Sequence, residues 1–357
     1  MIIDRVFIIL DSGFEVLYMK VLLFFEGEKV ISTSGIGRAL KHQKQALTMA
    51  GIEYTLDPND DFDILHINTV GPASAGVIAK AHREGKPVIY HAHSTEEDFR
   101  NSFVLSNQIA PLFKKHLVSL YSSADAIITP TPYSKSLLEG YGIDLPIYAV
   151  SNGIDLDRFS YNPEKVKAYY KYFSLNETDK VVLSVGLYFE RKGLPDFIEV
   201  AKRLPQYKFI WFGYTPLISV PKNIRELVED HPANVIFPGY VKGAIIEGAY
   251  AGANAFFFPS YEETEGIVVL EALAASQQVI VRDIGVFDPW LKDHVNCYKG
   301  QSVDEFVELI EGVVEKRLPS VCDEGKKTAQ ERSIASVGQQ LKTIYETVLE
   351  NYRPATM

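Results

Sequence analysis

Cysteine and long hydrophobic runs are the two features that this sequence most clearly lacks. It contains two cysteines, Cys297 and Cys322, and neither lies in a CxxC pattern or near a pair of histidines. A disulfide framework or a zinc site is therefore not expected, and a reducing cytoplasm is the default location. No apolar run reaches the roughly 18–20 residues that a membrane-spanning helix needs, so no such helix is predicted.

An excess of basic residues is absent as well. The net charge is −10, and residues 1–150 carry 13 Lys and Arg against 17 Asp and Glu, which leaves −4 for that part and −6 for the remainder. Neither part has the positive field of a general nucleic-acid binder, so no nucleic-acid partner is expected. A local basic patch that faces a membrane stays compatible with this composition.

The first 18 residues do not match a signal peptide. Asp4, Arg5 and Asp11 interrupt the apolar stretch with charge, whereas a signal peptide needs an unbroken apolar segment. A second methionine, Met19, opens the run MKVLLFFEGE. We expect the fold to begin there, with residues 1–18 as an N-terminal extension.

Short apolar runs alternate with helix-length amphipathic segments along most of the chain. Continuous runs of Val, Ile and Phe are typical of parallel strands that are covered on both faces. A chain of 357 residues is also too long for one typical core. We predict an α/β fold of two facing Rossmann-like domains, with ligands at the carboxyl ends of the strands in the cleft between them. The predicted strands are residues 20–25, 63–68, 87–92, 126–130 and 147–150 in the first series, and 180–186, 208–213, 234–239, 255–260 and 278–283 in the second.

The turn-rich stretch SNGIDLDRFSYNPE, residues 151–164, is the predicted join between the two domains. We therefore predict an N-terminal domain over residues 19–150 and a C-terminal domain over residues 151–327. A last helix, near residues 328–351, belongs to a C-terminal segment over residues 328–357 that could return to the first domain.

The first candidate binding motif, SGIGRAL, places Gly35 and Gly37 where a helix opens. Backbone amides and the helix dipole favour an anion at such a position. A dinucleotide fingerprint would need a third glycine at position 40, which is Leu40. The motif is thus weak support for NAD, and a turn that needs small residues explains it equally well.

The second motif, GLYFERKGL, places Arg191 and Lys192 before Gly193 at a predicted helix start. A guanidinium and an ammonium group there can neutralise a diphosphate, the arginine through paired donors. Taken alone, two solvated charges at a turn would be the simpler interpretation.

The third motif, SYEETEGIVVLEALAAS, is the most informative because it concentrates carboxylates. Glu263 lies in the loop after a strand, and Glu271 lies within an apolar helix, where an unpaired carboxylate is costly. Carboxylates accept hydrogen bonds from vicinal hydroxyls such as those of ribose or a hexose. Glu262 and Glu265 can equally be solvated loop charges or partners of the helix dipole. The amides that the first turn of this helix offers to a phosphate are those of Gly266, Ile267 and Val268.

Two histidines, His91 and His93, end the predicted strand 87–92 in the run YHAHST. We expect one of them to face each side of the sheet. Either one could be structural, and His93, nearer the strand end, is the better candidate for a ligand contact.

Other catalytic patterns are missing from the sequence. It has no G-x-S-x-G elbow, P-loop or HExxH motif. The runs DFD at 61–63 and DLD at 155–157 have the form of a metal-binding DxD, but the first lies at the amino end of a predicted strand, away from the expected cleft, and the second belongs to the linker turn. No metal site is therefore predicted.

In their order along the chain, these motifs resemble a retaining glycosyltransferase of family four with the GT-B fold. The resemblance covers roughly residues 19–350 and includes VGLYFERKG, FPGYV and FPSYEETEGIVVLEALA with VIVRDIGVFDPWLKDHVNCY. Glu263 and Glu271 match the paired glutamates of the family. Two positions depart from its pattern: Leu187 stands where many members have arginine, and Glu265 stands where an aromatic residue is common.

The resemblance implies transfer of a hexose from a UDP-sugar with retention at the anomeric carbon. It gives catalytic roles to His93 and Glu263, which would contact the transferred hexose, and to Lys192, which would neutralise the leaving UDP. No metal or other cofactor would be needed for that chemical step. The donor-binding set that it implies is Gly35, Gly37, Arg191, Lys192, Glu263, Gly266, Ile267, Val268 and Glu271.

The first half, above all EGEKVISTSGIGRALKHQKQAL, resembles bacterial enzymes that add a second sugar to monoglucosyl-diacylglycerol, the glycolipid anchor of lipoteichoic acid. This resemblance implies UDP-galactose or UDP-glucose as donor and a peripheral position on the inner face of the cell membrane. The basic amphipathic stretch 100–121 could lie on anionic lipid, or it could pack its apolar face on the sheet. The candidates for membrane or acceptor contact are Arg38, Lys41, Phe113, Lys114 and Lys115.

Several alternatives stay open on the sequence alone. A family four enzyme could act on a polysaccharide or another cell-envelope acceptor, and a GT-B epimerase, a phosphorylase or a non-catalytic homologue would share the fold. The paired glutamates and Lys192 argue against a non-catalytic role, and no pattern marks the additional lysine or phosphate site of a phosphorylase. The oligomeric state is not determined.

Overall fold

The computed structural model describes residues 7–9, 15–26 and 35–353. These residues form two compact units. The first takes in the described parts of Met1–Thr95, Lys114–Gly153 and Ile334–Met357, and the second takes in Glu96–Phe113 and Ile154–Ser333. Each unit is built on a six-stranded sheet whose paired strands are all parallel. The predicted α/β class with two parallel sheets is confirmed.

The first unit is a sheet with the strand order β4-β3-β5-β6-β7-β8. Every position of β5 and β7 is buried, which is the pattern of strands covered on both faces. A short antiparallel hairpin of β1 and β2 precedes this sheet, within the predicted extension. The strands are β1 Phe7–Ile9, β2 Glu15–Leu17, β3 Lys20–Phe24, β4 Glu53–Thr55, β5 Ile64–Ile67, β6 Val88–His91, β7 Ala126–Thr129 and β8 Ile147–Ala149.

The C-terminal helix completes the core of the first unit. Val337, Leu341 and Tyr345 of this helix are buried among strand residues such as Val21 and Ile89. The close approach is possible because Gly338 faces the Ala46 carbonyl group, 2.4 Å from where a Cβ atom would lie. The helices of the first unit are α1 Gly35–Met49, α2 Pro72–Arg83, α5 Pro132–Gly140 and the C-terminal α14 Ile334–Asn351. Between α2 and α5 lie α3 Glu96–Phe99, which groups with the second unit, and α4 Ser106–Tyr121, of which residues 106–113 do so.

The second unit has the strand order β11-β10-β9-β12-β13-β14. Its core contains many aromatic side chains, among them Phe197, Phe209, Trp211 and Phe257, all fully buried. The strands are β9 Val181–Val185, β10 Lys208–Phe212, β11 Val235–Gly239, β12 Ala255–Phe258, β13 Val279–Arg282 and β14 Tyr298–Gly300. The helices are α6 Leu156–Phe159, α7 Pro163–Tyr172, α8 Leu194–Arg203, α9 Lys222–Glu229, α10 Ala244–Gly252, α11 Ile267–Ala274, α12 Val303–Val314 and α13 Cys322–Glu331.

One predicted helix is two helices in the structure. The segment near 328–351 breaks after Glu331, so that α13 and α14 are separated by Arg332 and Ser333. The Ile154 amide donates to the Arg332 carbonyl oxygen at 3.0 Å, and Ile154 forms an isolated bridge with Ser333. The chain leaves the second unit at this point, which explains why the helix cannot continue.

The segment 96–113 also differs from the predicted domain limits. The sequence placed it within an N-terminal domain over residues 19–150, whereas its contacts group it with the second unit. The Val104 amide donates to the Ser219 carbonyl oxygen at 3.0 Å, and Arg191 forms an ion pair with Asp98 at 3.0 Å. Long-range contacts of this kind leave no local signal in the sequence. The boundary in the middle of the chain falls between Gly153 and Ile154 rather than after residue 150.

Helices α7 and α10 pack closely at Gly248, and this contact gives a stability prediction. A Cβ atom on Gly248 would lie 2.0 Å from the Lys165 carbonyl oxygen. We expect Gly248→Ala to lower the free energy of unfolding by about 1–3 kcal/mol, because the backbone of α7 would have to move. Urea unfolding followed by circular dichroism measures this change.

Gly76→Ala is the matched control for this substitution, since Gly76 is also within a helix and nothing lies within 4 Å of its added Cβ atom. It should be neutral or stabilise by about 0.4–1 kcal/mol. Equal effects of the two substitutions would contradict the packing account.

Candidate functional site

Two loops of the second unit meet at one edge of its sheet. Strands β9 and β12 are parallel neighbours, with Val182 opposite Ala255 and Leu183 opposite Phe256. Their carboxyl ends therefore lie at the same edge, where ligands of parallel α/β sheets bind. The turn Glu190–Lys192 follows β9, and the acidic loop 259–266 follows β12. The sheet thus brings the second and third sequence motifs together.

Gly193 allows the two loops to touch. Its backbone lies in the left-handed region, with φ of 76°, and a Cβ atom there would be 2.2 Å from the Pro259 carbonyl oxygen. Both conditions select glycine. The Tyr261 amide then donates to the Arg191 carbonyl oxygen at 2.7 Å, and the Ser260 hydroxyl oxygen lies 3.1 Å from the same oxygen.

Lys192 and Glu263 form a buried ion pair where these loops meet. The Lys192 Nζ atom donates to Glu263 Oε1, and the Ser260 hydroxyl donates to the same oxygen at 2.7 Å. Burial alone would raise the pKa of the Glu263 carboxyl group, but the positive charges of Lys192 and Arg191 outweigh burial and hold this pKa below its usual value. Glu263 is therefore ionised at neutral pH, beside a cation.

Arg191 acts mainly as a brace for this pair. Its Nη2 atom lies 3.0 Å from Asp98 Oδ1, its Nε atom donates to the Ser102 hydroxyl at 2.9 Å, and its Nη1 atom donates to the Glu262 carbonyl oxygen at 3.1 Å. The predicted diphosphate contact would therefore compete with three protein contacts. Lys192, which follows it in the chain, is the better placed of the two to meet an anion.

Asp98 and Ser102 are residues that sequence reasoning did not find. They come from the first half of the chain, between β6 and β7, and no local pattern marks them. Burial raises the pKa of the Asp98 carboxyl group, while the charges of Arg191 and Lys192 act in the opposite direction. Asp98 is thus the fourth charged residue of a cluster that also contains Arg191, Lys192 and Glu263.

Helix α11 begins immediately after the acidic loop. Gly266 precedes it in the left-handed conformation, with φ of 85°, and the helix runs from Ile267 to Ala274. The first-turn amides of a helix have no intrahelical acceptor and carry the positive end of the dipole. The predicted phosphate-binding amides of Ile267 and Val268 therefore lie in the first turn, with that of Gly266 directly before them.

Glu271 is buried within α11, as its apolar surroundings indicated. It is 1% exposed, and its Oε2 atom accepts a hydrogen bond from the Tyr250 hydroxyl at 2.7 Å. Tyr250 belongs to α10 and was not identified from the sequence. The role in ribose binding stays a prediction, and Tyr250 already uses one of the two carboxylate oxygens.

Glu265 is not a solvated loop charge, which corrects one of the two interpretations that the sequence left open. It is 2% exposed. Burial lowers the pKa of the Arg332 guanidinium, and the negative charge of Glu265 acts against that effect. Arg332 is thus a compensating positive charge for Glu265, and it also lies over the ring of Trp290.

His93 lies in the first unit, at the end of β6, in a buried stack of three histidines. The ring of His93 lies on that of His91 with centroids 4.0 Å apart, and His91 stacks on His66 at 5.3 Å. The Nε2 atom of His93 lies 3.0 Å from the Asn68 side-chain oxygen, and the Tyr345 hydroxyl lies 2.6 Å from Nδ1 of His66. His91 and His93 thus share one stack, and the expectation that they face opposite sides is wrong, because side chains two residues apart along an extended chain point to the same face.

The remaining predicted residues lie in or beside helices α1 and α4. Gly35 and Gly37 form the first turn of α1 rather than a loop before it, and Lys41 is exposed on the same helix. Residues 27–34, which include the start of the SGIGRAL motif, lie outside the described part of the chain. Arg38 is half-buried on α1.

Helix α4 packs part of its apolar face, as one of the two interpretations left open by the sequence predicts, and its lipid contact stays a prediction. In its second half, Leu117 and Leu120 are buried, as in a helix that packs on a sheet. Phe113, a predicted membrane contact, instead stacks on Phe99 with ring centroids 4.2 Å apart. Lys114 lies over the ring of Tyr141, and Lys115 is exposed.

Within residues 7–9, 15–26 and 35–353, no group of three or more His, Cys, Asp and Glu side chains is arranged to hold a metal ion. In the same part of the chain, no helix has the length and apolar character to cross a membrane.

The histidine stack gives a prediction for the pH dependence of stability. Burial lowers the pKa of His66 and of His93 to about 3, and that of His91 well below its usual value. The unfolded chain therefore binds protons near pH 6.5 that the folded chain does not bind. The free energy of unfolding keeps its full value above about pH 6.5 and falls as the pH is lowered from there towards 3.

Each histidine contributes a slope that approaches about 1.4 kcal/mol per pH unit. We expect urea unfolding of His66→Gln between pH 6.5 and 5 to show a slope smaller than that of the wild type by about this amount. Parallel curves for the two proteins would show that His66 is not kept neutral by folding.

Family models match both halves of the chain. Residues 168–332 match the glycosyl transferases group 1 family, and residues 33–158 match glycosyltransferase family 4. The chain is 49% identical to the processive diacylglycerol alpha-glucosyltransferase of Acholeplasma laidlawii over 333 residues, which is 93% of this chain and 99% of that protein. It is 25% identical to the alpha-galactosylglucosyldiacylglycerol synthase of Streptococcus pneumoniae, over 75% of this chain and 72% of that protein.

Solved structures support the fold. The crystal structure of HepE from Anabaena in complex with UDP and glucose matches with a TM-score of 0.74 at 16% identity, over 92% of this chain and 100% of that chain. Sucrose-phosphate synthase from Thermosynechococcus elongatus matches with a TM-score of 0.77 at 16% identity, over 93% and 99%. The motifs, the two parallel sheets and the 49% identical relative lead to one conclusion: the chain belongs to the family four glycosyltransferases with the GT-B fold, enzymes that transfer a hexose from a nucleotide sugar.

Proposed function

We propose that the protein transfers glucose from UDP-glucose to diacylglycerol or a glucosyl-diacylglycerol, with retention of the α configuration. The observation that carries this proposal is the buried Lys192–Glu263 pair beside the first turn of α11. It sets a cation and helix amides next to a carboxylate, the groups needed for a diphosphate and for sugar hydroxyls. The names of four relatives, 25% to 49% identical, support a diacylglycerol-based lipid as acceptor.

Glucose is favoured over galactose as the transferred hexose. The relative that is 49% identical is named a glucosyltransferase, whereas the relative named for galactose is 25% identical. The same names carry the prefix alpha. Since the hexose of UDP-glucose is itself α-linked, an α-linked product corresponds to retention.

The proposed mechanism assigns separate tasks to the residues of the ion pair. Lys192 stabilises the negative charge that develops on the departing UDP, together with the amides of Gly266, Ile267 and Val268. Glu263 accepts hydrogen bonds from the hexose hydroxyls. Ser260 and Arg191 hold both groups in place before the donor arrives, which limits reorganisation during the reaction. The acceptor then attacks from the face that UDP leaves, and a donor phosphate oxygen takes its proton.

Two further parts of the proposal concern cofactor and location. The cationic groups above would replace a metal ion in stabilising UDP, so we propose that the chemical step needs no metal.

We also propose that the protein binds peripherally to the inner face of an anionic membrane, where a diacylglycerol acceptor is found. The exposed cations Lys41 and Lys115 support such binding. The cleft between the domains, the role of His93 and the link to lipoteichoic acid stay predictions.

Product analysis tests the proposed reaction. The full-length protein is incubated with diacylglycerol or glucosyl-diacylglycerol in detergent and with UDP-glucose or UDP-galactose, each with and without EDTA. We expect transfer of glucose in α linkage, read by mass spectrometry and NMR, at a rate that EDTA does not change. Transfer only to a water-soluble oligosaccharide, or a β-linked product, would overturn the proposal, and loss of activity in EDTA would overturn its metal-free part.

Substitution of Lys192 tests the electrostatic role. We expect Lys192→Gln to lower kcat by about 10²–10³-fold, the usual cost of removing one group that stabilises transition-state charge. Steady-state assays with UDP-glucose measure this effect. Lys202→Gln, which changes an exposed lysine at the end of α8, is the matched control and should be neutral. Near-normal turnover of Lys192→Gln would be incompatible with the mechanism.

A further inference from the structure

The second unit carries an exposed group of large apolar side chains, which we call the apolar tip: Val104, Leu105, Ile109, Leu112 and Ile218. Leu112 is 67% exposed and Ile218 is 85% exposed. The two segments that supply these residues are joined, because the Val104 amide donates to the Ser219 carbonyl oxygen at 3.0 Å. Single exposed apolar residues need no explanation, but a group from two connected segments marks an interaction surface.

The backbone at the start of the apolar tip is strained. Leu105 has φ of 68°, in the left-handed region. A branched, apolar side chain seldom occupies this region, where glycine or asparagine is usual. Strain that is retained in a folded protein is frequently found at functional segments. The strained residue here is Leu105 itself, which is 58% exposed and lies immediately before α4.

Helix α4 carries two residues of the apolar tip on one face. Ile109 and Leu112 are spaced by three residues, and Leu105 lies directly before the helix. Exposed Lys115 continues the same spacing on the next turn. The helix therefore changes from apolar to basic along one exposed stripe, a pattern typical of segments that lie in a membrane interface.

The charge around the apolar tip fits an anionic partner. The chain has 46 Asp and Glu residues, yet residues 99–124 and 200–225 contain none. These two acid-free segments are the ones that contain the tip. Lys222 and Arg225 follow Ile218 in the second of them. Lys222 also pairs with Glu226 at 3.4 Å, while Arg225, Lys114 and Lys115 are further cations of the two segments. Segments without acidic residues add no repulsion from anionic lipid.

The apolar tip is also connected to the reaction site. The Arg191 amide donates to the Asn101 carbonyl oxygen at 3.1 Å, and its guanidinium group binds Asp98 and Ser102, all within the segment that leads to Val104. A short run of chain thus separates the brace of the Lys192–Glu263 pair from the tip. Whatever binds the tip is held at a fixed distance from the sugar-transfer groups.

We propose that the apolar tip inserts into the hydrocarbon boundary of an anionic membrane and holds the second unit at the lipid surface. The choice of a lipid surface rests on the proposed function, since a diacylglycerol acceptor resides there. The apolar side chains of the tip are distinct from the basic residues predicted for membrane contact, although Lys115 adjoins them on α4, and they bind by burial of apolar area rather than by charge. Its contribution should therefore persist at high salt.

Vesicle binding of the full-length protein tests this proposal. The variants Leu112→Ser and Ile218→Ser are compared with the wild type on vesicles of phosphatidylglycerol and phosphatidylcholine, at low and at high salt. Full burial of such a side chain corresponds to about a tenfold change in partition coefficient or more, and we expect this loss for each variant at both salt concentrations. Leu56→Ser, which alters a leucine that is exposed in the first unit, is the matched control and should bind as the wild type does.

A fluorescence measurement adds a depth readout. The indole group that Leu112→Trp introduces should be quenched by lipids brominated on their acyl chains, and not by quenchers confined to the aqueous phase. The reverse pattern would overturn insertion. Wild-type binding by both serine variants would also overturn it, as would a dimer of the wild type in gel filtration that Leu112→Ser converts to monomer, because the tip would then contact a second copy of the chain.

Activity in detergent separates this inference from the proposed function. Detergent-solubilised glucosyl-diacylglycerol does not require a bilayer, so Leu112→Ser and Ile218→Ser should keep the wild-type kcat there. If the wild type transfers no sugar to lipid but Leu112→Ser still weakens vesicle binding tenfold, the proposed function fails and the apolar tip stands. If sugar is transferred and both variants bind vesicles normally, the tip fails and the function stands.

Discussion

The buried ion pair of Lys192 and Glu263 is the interaction on which the site of the second unit depends. Removing two charges from water costs several kcal/mol per ion, and their attraction offsets this only when further hydrogen bonds satisfy the pair. Here Ser260 donates to the same carboxylate oxygen, and Arg191 lies 3.9 Å from it. Such a pair contributes little net stability by itself. Its value is that the cation and the carboxylate are already in place for the diphosphate and the hexose.

The acidic loop that carries Glu263 is held from two sides by arginines that it does not contain. Arg191 braces it through the Glu262 carbonyl group. On the other side, Arg282 donates to the Pro259 carbonyl oxygen at 3.0 Å, pairs with Asp196, and lies over the Tyr261 ring at 3.9 Å. A loop held from two sides loses little conformational freedom when a ligand binds, which is the physical basis of preorganisation. The α11 amides follow directly from this loop and share its rigidity.

The two units accommodate buried ionisable side chains in different ways. The second unit buries charges and compensates them with opposite charges. The first unit buries His66, His91 and His93 without a charged partner in the stack, so these rings stay neutral and pack as aromatic groups. A neutral His93 can accept or donate one hydrogen bond, whereas a charged imidazole would only donate. This difference matters for any contact of His93 with a sugar hydroxyl.

The sequence by itself determined the alternation of buried strands and amphipathic helices, because periodic burial is a local property. It also marked Lys192, Glu263 and Glu271 as candidates, since charged residues at a predicted helix start or within an apolar run are visible locally. Short edge strands such as β4 and β14 were not predicted, since three residues are too few for a periodic signal. Tertiary structure alone decided that Asp98 and Ser102 hold Arg191 in place. It also decided that Leu112 is exposed while Leu117, with the same apolar side chain, is buried. The physical reason is that burial of one helix face depends on what packs against it, and contacts between residues distant in the chain are set by the path of the backbone rather than by the residues nearby.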